Sequence, residues 1–279
     1  MTGPLASVNL LHMKAFAICL IFFTPSAIWA QEAPAANPQL VSFPAPGGAL
    51  HGYYYVPAGT GPFPAVLWNH GSERVPGAQA ELAEFYTAHG FVFFLPHRRG
   101  QGKSPGAYIM DEIRRSHDEF AAVQFQQEAN QDVVAAMTWL RAQKEVDANR
   151  IVVSGCSFGG IQTLLSAEKG LGARAFIAFA PAAQSWGNGL LQQRLEHAVQ
   201  KTNAPVFILQ AKNDYSIEPA KVLGKIAKAN GGRADIYPAF GHSAQDGHWA
   251  FATTKSGIEV WQKDVLSFID AAFEKTSKQ

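Results

Sequence analysis

The sequence predicts an α/β fold: a mostly parallel central sheet of about eight strands, with helices on both faces, in one domain. After about residue 40, short apolar runs alternate with longer amphipathic stretches. Most of the short runs are continuously apolar, as strands covered on both faces should be. This regular β-then-α order favours parallel strands that crossover helices connect.

Eight apolar runs give the predicted strands. Each is short, and turn-forming or polar residues separate it from the next amphipathic stretch. The predicted strands are Leu40–Phe43, Leu50–Val56, Ala65–Trp68, Phe91–Leu95, Ile151–Ser154, Ala175–Phe179, Val206–Leu209 and Ala234–Tyr237.

Six amphipathic stretches give the predicted helices. In the second of them, Val133, Met137 and Leu140 recur at spacings of four and three, which places them on one helix face. Residues 100–127 are predicted to be an insertion, either a flap over a pocket or an ordinary surface excursion. The predicted helices are Ala78–His89, Glu128–Gln143, Ile161–Glu168, Leu190–Gln200, Glu218–Ala229 and Gly257–Phe273.

The N-terminus has the pattern of a secretory signal. Lys14 precedes the apolar run Ala15–Phe23, and Ala30 ends a segment of small residues before polar Gln31. The run is shorter than the roughly 20 residues that a membrane-spanning helix needs, so no stable membrane anchor is expected. We therefore expect a signal peptide over residues 1–30, a tether over residues 31–39, a single domain over residues 40–279, and export to the periplasm or the medium.

Charge and cysteine content exclude several function classes. The chain has 23 basic and 22 acidic side chains, and binding to nucleic acid or anionic membranes depends on clusters of Lys and Arg. Such partners are not expected. Of the two cysteines, Cys19 and Cys156, the first would leave with the signal, so no intramolecular disulfide is expected in the mature chain.

The motif that indicates chemistry is Gly155-Cys-Ser-Phe-Gly159, which stands between a predicted strand and a predicted helix. This is the Gly-x-Ser-x-Gly nucleophile elbow in its required setting. A nucleophile on a sharp strand-to-helix turn has strained backbone angles, and glycines on either side remove Cβ atoms that would clash. Ser157 is therefore the predicted nucleophile.

A serine hydroxyl needs a base, and the base needs an acid that fixes its tautomer. Asp214 follows the run Val206–Leu209, at the carboxyl end of a strand, and is the predicted acid. Two histidines follow the last predicted strand, His242 and His248, and each has a glycine before it. Spacing alone leaves both as candidate bases.

Acyl transfer also needs hydrogen-bond donors for the developing oxyanion. The backbone amide of Phe158, directly after the nucleophile, is the first candidate. The second is the amide of Ser72, in the turn Asn69-His-Gly-Ser72 that follows the third predicted strand. His70 precedes the nucleophile in the chain, so a structural role below that turn is expected for it.

With Ser157, Asp214 and a late histidine in this order, residues 40–273 resemble the α/β-hydrolase superfamily and, within it, the dienelactone hydrolase-like branch. Supporting motifs are Asn69-His-Gly-Ser72, His97-Arg-Arg-Gly-Gln-Gly-Lys-Ser104, the elbow, and Tyr237-Pro-Ala-Phe-Gly-His-Ser-Ala-Gln-Asp-Gly-His248. Dienelactone hydrolases carry cysteine at the nucleophile position, whereas Ser157 stands there in this chain.

The resemblance also bears on the choice of base. Relatives with a long final loop place the base in the later Asp-Gly-His element, which slightly favours His248. Tyr-Pro-x-x-Gly-His, the form of relatives with a shorter loop, favours His242. Both histidines therefore stay in the prediction.

Three further residues are candidate substrate contacts. In the resembled fold Arg98 and Arg99 lie after the fourth strand, where they would meet a substrate carboxylate or, alternatively, form an ion pair that holds the loop to the domain. Trp186 lies after the sixth strand, where it would line an acyl pocket or simply pack. Gly102-Lys103-Ser104 lacks the first glycine of a phosphate-binding loop, and no histidine pair has metal-ligand spacing. No cofactor and no metal are expected.

The sequence therefore predicts an exported serine hydrolase that acts on small-molecule carboxylic esters through an acyl-enzyme. A serine peptidase or amidase of the prolyl oligopeptidase type shares the triad order and is the alternative. A non-catalytic ligand-binding protein on the same fold is a third reading, which the complete Ser, Asp and His set disfavours. The acyl and alcohol preference and the oligomeric state are left open by the sequence.

Overall fold

The computed structural model describes residues 1–3 and 37–275. Nearly all of the predicted signal peptide and most of the predicted tether fall in residues 4–36, outside the described residues. The compact unit Ala33–Gln279 contains every strand and helix of the described chain. Within the described ranges, no helix combines the length and apolar character needed to cross a membrane.

A single sheet of eight strands organises the unit, and every predicted strand is present. The strands lie in the order β1-β2-β4-β3-β5-β6-β7-β8, with parallel pairing from β4 through to β8 and antiparallel pairing of β2 with β1 and β4. The predicted α/β-hydrolase sheet is confirmed. The strands are β1 (Gln39–Ala45), β2 (Gly48–Tyr55), β3 (Phe63–Asn69), β4 (Val92–Pro96), β5 (Val146–Cys156), β6 (Ala175–Phe179), β7 (Val206–Ala211) and β8 (Arg233–Tyr237).

All six predicted helices are present, but Ile109–Ser116 and Phe251–Thr253 are additional helices, and one predicted helix begins earlier than expected. The helix expected from residue 128 begins at Glu119, because the Asp118 side chain caps it by accepting a hydrogen bond from the Phe120 amide at 2.8 Å. Part of the predicted insertion is therefore helical. The helices are α1 (Ala80–Ala88), α2 (Ile109–Ser116), α3 (Glu119–Arg141), α4 (Phe158–Lys169), α5 (Gly189–Lys201), α6 (Glu218–Ala229), α7 (Phe251–Thr253) and α8 (Lys255–Glu274), with a π-helical turn at Asp246–Ala250.

Apolar cores lie on the two faces of the sheet. Alternate residues of β3 point to opposite faces, so that Leu67 belongs to the core that α3, α4, α5 and α6 cover, while Trp68 belongs to the core that α1 and α8 cover. The side chains of both residues are fully buried. This double cover explains the continuously apolar strands.

The sheet brings four loops together at one edge. Because β3, β5, β7 and β8 are parallel, their carboxyl ends meet at the same edge of the sheet. The loops that follow these strands carry Ser72, Ser157, Asp214 and His248. The fold therefore gathers the predicted site residues from distant parts of the sequence.

Candidate active site

Ser157 stands on a strained turn between β5 and α4. Its backbone has φ 60° and ψ −120°, a conformation that residues with a Cβ rarely adopt. The Ser157 amide donates to the carbonyl oxygen of Phe179 on the neighbouring strand at 3.0 Å, which fixes the turn. A Cβ at Gly159 would lie 1.9 Å from the carbonyl oxygen of Asn69, so only glycine allows the turn to pack against β3.

Asp214 and His248 form a buried pair. The Nδ1 atom of His248 lies 2.8 Å from Oδ1 of Asp214. The same carboxylate accepts hydrogen bonds from the Tyr215 amide at 2.6 Å and from Nε2 of Gln210 at 2.7 Å. These donors fix the carboxylate, and the carboxylate in turn fixes the imidazole ring so that Nε2 is the nitrogen left for chemistry.

His248 belongs to the π-helical turn that follows β8. A Cβ at Gly247 would lie 2.5 Å from Oδ1 of Asn213, so glycine lets this turn approach the Asp214 loop. Nε2 of His248 is buried and has no hydrogen-bond partner among the described residues, and His248 and Ser157 line the same cavity. Catalytic hydrogen bonds are often long without substrate and shorten in the complex.

His242 lies apart from this pair. Its side chain is exposed, and its backbone amide donates to Oδ2 of Asp246 at 2.8 Å. His242 lines neither of the two cavities that Ser157 lines. The structure therefore brings only His248 to Asp214, and gives His242 a place in the turn before the π-helix.

The two candidate oxyanion donors flank Ser157. Phe158 begins α4, and Ser72 follows β3, and both line a cavity together with Ser157. Neither backbone amide donates to a protein acceptor within residues 37–275. Two unpaired amides beside a candidate nucleophile are the arrangement that an oxyanion hole requires.

One cavity, which we call the flap cavity, has a volume of about 380 Å³. Its apolar wall comes from α2, α4 and α5, and the segment that carries α2 is the predicted insertion. Tyr108 connects this segment to the oxyanion loop, since its hydroxyl donates to the Ser72 carbonyl and its ring lies 4.1 Å from the Arg74 guanidinium carbon. The apolar lining residues are Met110, Ile113, Phe158, Ile161 and Leu191.

The other cavity, which we call the histidine cavity, has a volume of about 410 Å³ and a more polar wall. Ser72, Ser157 and Gln184 line both cavities, so Ser157 lies between them. Glu73 also lines the histidine cavity, and burial raises the pKa of its carboxyl group. The remaining lining residues include Gln245, His248 and Trp249.

The three candidate substrate contacts are not in either cavity. Arg98 is 2% exposed and directs hydrogen bonds to protein groups. Arg99 forms the alternative ion pair, with Nη2 at 2.5 Å from Oδ1 of the buried Asp132. Trp186 is 8% exposed and packs in the core beside α5. In this structure the three side chains contact other protein groups, and their contact with substrate stays a prediction.

Two other histidines near the site are held neutral. Burial lowers the pKa of His70 well below its usual value, and the Arg98 guanidinium adds to the effect. Burial also lowers the pKa of His97, to about 4. His70 lies fully buried beneath the Asn69–Ser72 turn, where its Nδ1 atom lies 3.0 Å from the Gly71 carbonyl oxygen. This position agrees with the structural role below the turn that the sequence predicts for His70.

Sequence reasoning missed Glu73, Gln184 and Gln245 as cavity residues. Glu73 directly follows the oxyanion motif, and that adjacency was the one signal available. The other two lie in loops without a recognisable pattern. Their role depends on how loops from different strands meet.

Comparison with known proteins gives a family match. The sequence profile of the dienelactone hydrolase family matches residues 50–272, most of the chain. No curated protein matches the sequence.

Solved structures share the fold at low sequence identity. The chain is similar to the acylaminoacyl peptidase of Pyrococcus horikoshii (TM-score 0.60, 16% identity, 77% of this chain), of which it spans only 38%. It is similar to a dienelactone hydrolase-like protein of Klebsiella pneumoniae (TM-score 0.60, 18% identity), covering 85% of this chain and 99% of that one. It is also similar to the esterase Est22, solved with p-nitrophenol (TM-score 0.63, 16% identity), with 86% and 82% covered. At such identities these likenesses show the fold.

Proposed function

Because the chain belongs to the dienelactone hydrolase family, we propose that it is a serine hydrolase that cleaves small carboxylic esters through an acyl-enzyme. The observation that carries the proposal is the buried His248–Asp214 pair, 2.8 Å apart, beside a serine on a strained elbow. Family membership supports a hydrolase activity. The ester as substrate and the role of each residue are the proposed part.

In the acylation step, Oγ of Ser157 attacks the ester carbonyl carbon while Nε2 of His248 takes the hydroxyl proton. Asp214 stabilises the imidazolium that forms. The carbonyl oxygen becomes an oxyanion, to which the amides of Phe158 and Ser72 donate. The tetrahedral intermediate then collapses, the C–O bond to the alcohol breaks, and His248 gives the proton to the departing alkoxide.

In the deacylation step, a water molecule occupies the place that the alcohol left. His248 removes a proton from this water as the oxygen attacks the acyl carbon. A second tetrahedral intermediate forms and collapses, the bond to Oγ of Ser157 breaks, and the serine regains its proton from His248. The carboxylic acid is released and the enzyme is restored.

Each of the two cavities holds one part of the ester substrate. The leaving group must receive a proton from His248, so the alcohol lies in the histidine cavity. The acyl chain then lies in the flap cavity, whose apolar wall from α2, α4 and α5 suits a short aliphatic chain. We propose that this cavity, at about 380 Å³, favours acyl chains of short to medium length.

The test is hydrolysis of 4-nitrophenyl esters, from acetate to octanoate, by the purified protein and its Ser157→Ala variant. The proposal expects turnover by the wild type, an optimum within the series, and loss of turnover in the variant. Equal rates in the two proteins would exclude Ser157 as the nucleophile for these substrates.

The same panel separates ester hydrolysis from the peptidase alternative. Acylated amino acid 4-nitroanilides, offered beside the esters, present an amide bond with a similar chromophore. An ester hydrolase turns over the esters far faster, whereas a peptidase cleaves the anilides with comparable kcat/KM. Absence of turnover together with saturable binding of an ester would favour a ligand-binding protein.

A further inference from the structure

The proposed chemistry does not explain why the Arg98 guanidinium is buried beside the candidate active site. Its guanidinium is buried directly beneath the oxyanion loop, and the residue is 2% exposed. Nη2 donates to the Gly71 carbonyl oxygen at 2.5 Å, and Nε donates to Oε1 of Gln101 at 3.2 Å. Gln101 completes the support, since its Nε2 donates to the Glu73 carbonyl oxygen at 2.8 Å.

The hydrogen bond to Gly71 fixes the direction of the Ser72 amide. The carbonyl of Gly71 and the N–H of Ser72 belong to one planar trans peptide, in which the two groups point in opposite directions. When Arg98 holds the carbonyl oxygen toward the interior, the N–H must point outward, toward the cavities that Ser72 lines with Ser157. Rotation of this peptide would remove the donor from the site.

The same guanidinium also packs on the second oxyanion residue. The central carbon of the Arg98 guanidinium lies 5.0 Å from the centre of the Phe158 ring, within cation–π range. Phe158 is 5% exposed and begins α4, so the contact with its ring helps to hold the first residue of this helix in place. Arg98 therefore contacts Phe158 on one side of the oxyanion position and the peptide that precedes Ser72 on the other.

Charges around Arg98 suit a guanidinium that stays ionised. Burial lowers its pKa to about 10, while the carboxylates of Glu73 and Asp132 act in the opposite direction. Its other close neighbour, the His70 ring, lies 3.0 Å from Nη2 and is neutral. At neutral pH, Arg98 is therefore a buried cation, and it lines neither of the two cavities.

We propose that Arg98 is a positioning residue that holds both oxyanion donors, the Ser72 amide through the Gly71 carbonyl and the Phe158 amide through its ring. This inference rests on the proposed function, and deepens it by naming what orients the oxyanion hole. Because the oxyanion exists only in the transition state, loss of Arg98 lowers kcat and leaves KM nearly unchanged.

The test compares Arg98→Lys with Arg99→Lys, its matched control, on a 4-nitrophenyl ester and the corresponding thionoester. Sulfur accepts hydrogen bonds poorly, so a thionoester gains little from an oxyanion hole. We expect Arg98→Lys to lower kcat for the ester by about 10- to 100-fold, less than the roughly 100- to 1,000-fold cost of deleting one donor. The thionoester rate falls far less, and Arg99→Lys stays within about twofold on both substrates.

A second readout does not depend on ester turnover. Diisopropyl fluorophosphate phosphorylates an activated serine and places its P=O oxygen in the same hole, and intact mass gives the labelling rate of Ser157. Arg98→Lys should label at least about tenfold more slowly than Arg99→Lys. A wild type that labels but hydrolyses no ester would overturn the proposed substrate alone, while the comparison of labelling rates still tests Arg98.

Folding is controlled by circular dichroism and thermal unfolding of each variant. If Arg98→Lys does not fold, Gln101→Met removes the acceptor that holds the guanidinium, together with the Gln101 donors to the Gly71 and Glu73 carbonyls. It should shift the ester-to-thionoester ratio in the same direction by a smaller factor. Equal loss on ester and thionoester, or labelling at the control rate, would overturn the positioning role. A wild-type Ser157 that is neither acylated nor phosphorylated would overturn both proposals.

Discussion

His248 meets Asp214 through a 2.8 Å contact between Nδ1 and Oδ1, and the two side chains are 4% and 0% exposed. The residues are 34 positions apart in the chain, and only the parallel arrangement of β7 and β8 brings their loops together. A buried carboxylate on Nδ1 fixes the tautomer that leaves Nε2 free to accept a proton. Because His248 makes this contact and His242 does not, we propose His248 as the general base.

Substitution of the two histidines tests this choice. His248→Gln should lower kcat for a 4-nitrophenyl ester by about 100- to 10,000-fold, the range expected for loss of a general base. His242→Gln, the matched control, should keep kcat within about twofold because His242 is exposed and outside both cavities. The assignment is wrong if His242→Gln is the variant that loses activity.

Backbone strain at Ser157 should be measurable as a difference in the free energy of unfolding between two variants. At φ 60° and ψ −120°, a residue with a Cβ carries roughly 1–3 kcal/mol of strain. Ser157→Ala keeps the Cβ, whereas Ser157→Gly removes it, at an entropic cost of roughly 0.5–1 kcal/mol in the unfolded state. Urea unfolding should therefore find Ser157→Gly more stable than Ser157→Ala by about 1 kcal/mol. A less stable glycine variant would show that the elbow is not strained.

Glu73 should select against anionic leaving groups. Its carboxyl group is on the wall of the histidine cavity, and burial raises its pKa above the usual carboxyl value. A negative charge on the leaving group would be repelled by the Glu73 carboxylate. This repulsion raises the transition-state free energy by roughly 1 kcal/mol, which lowers kcat/KM about fivefold. The Glu73→Gln variant should therefore turn over an ester with a sulfonate on the alcohol about fivefold better, relative to a neutral ester.

The pH dependence of this preference has a definite sign. Above the raised pKa, Glu73 is ionised and repels the sulfonate, and as pH falls through that pKa the charge is lost. In the wild type, the sulfonate-to-neutral ratio of kcat/KM should therefore rise on acidification, while the ratio for Glu73→Gln stays flat. A wild-type ratio that does not change with pH, or that falls, would contradict the role of Glu73.

Cys156 should be inert although it adjoins the nucleophile. Burial raises the pKa of its thiol well above the usual value, and the charges of Asp214 and Glu73 act in the same direction. Its Sγ atom is fully buried, at 3.5 Å from the His248 carbonyl oxygen. Because the thiolate is the reactive form, iodoacetamide at pH 8 should leave Cys156 unmodified and activity unchanged until the protein unfolds. Alkylation of Cys156 is followed by peptide mass spectrometry beside an activity assay. Activity that falls in proportion to Cys156 alkylation would contradict this prediction.

Much of the fold could be predicted because burial on both faces leaves a strong local signal. Runs such as Ala175–Phe179 are wholly apolar, and the structure has a strand with the same bounds. Ser157 could be located because the elbow needs glycines at fixed spacing. By contrast, the start of α3 at Glu119 depends on a cap at Asp118, inside the stretch 100–127 that the sequence predicts to be an insertion.

Local sequence could not decide between the two candidate bases, and it could not predict the contacts of Arg98 and Arg99. His242 and His248 each follow a glycine, and only the folded structure distinguishes them, by the contact with Asp214, by burial and by cavity lining. Arg98 and Arg99 are adjacent, yet one supports the Gly71 carbonyl and the other pairs with Asp132. Such assignments depend on contacts between residues about 30 positions apart, which short-range patterns do not encode.

The most direct test of the central claim is to trap the acyl-enzyme. The protein is mixed briefly with 4-nitrophenyl butyrate, quenched in acid, digested, and its peptides are examined by mass spectrometry. The account predicts one butyryl group on Ser157, present in His242→Gln, absent in Ser157→Ala, and formed much more slowly in His248→Gln. A butyryl group on another residue, or ester turnover that persists in Ser157→Ala, would contradict it.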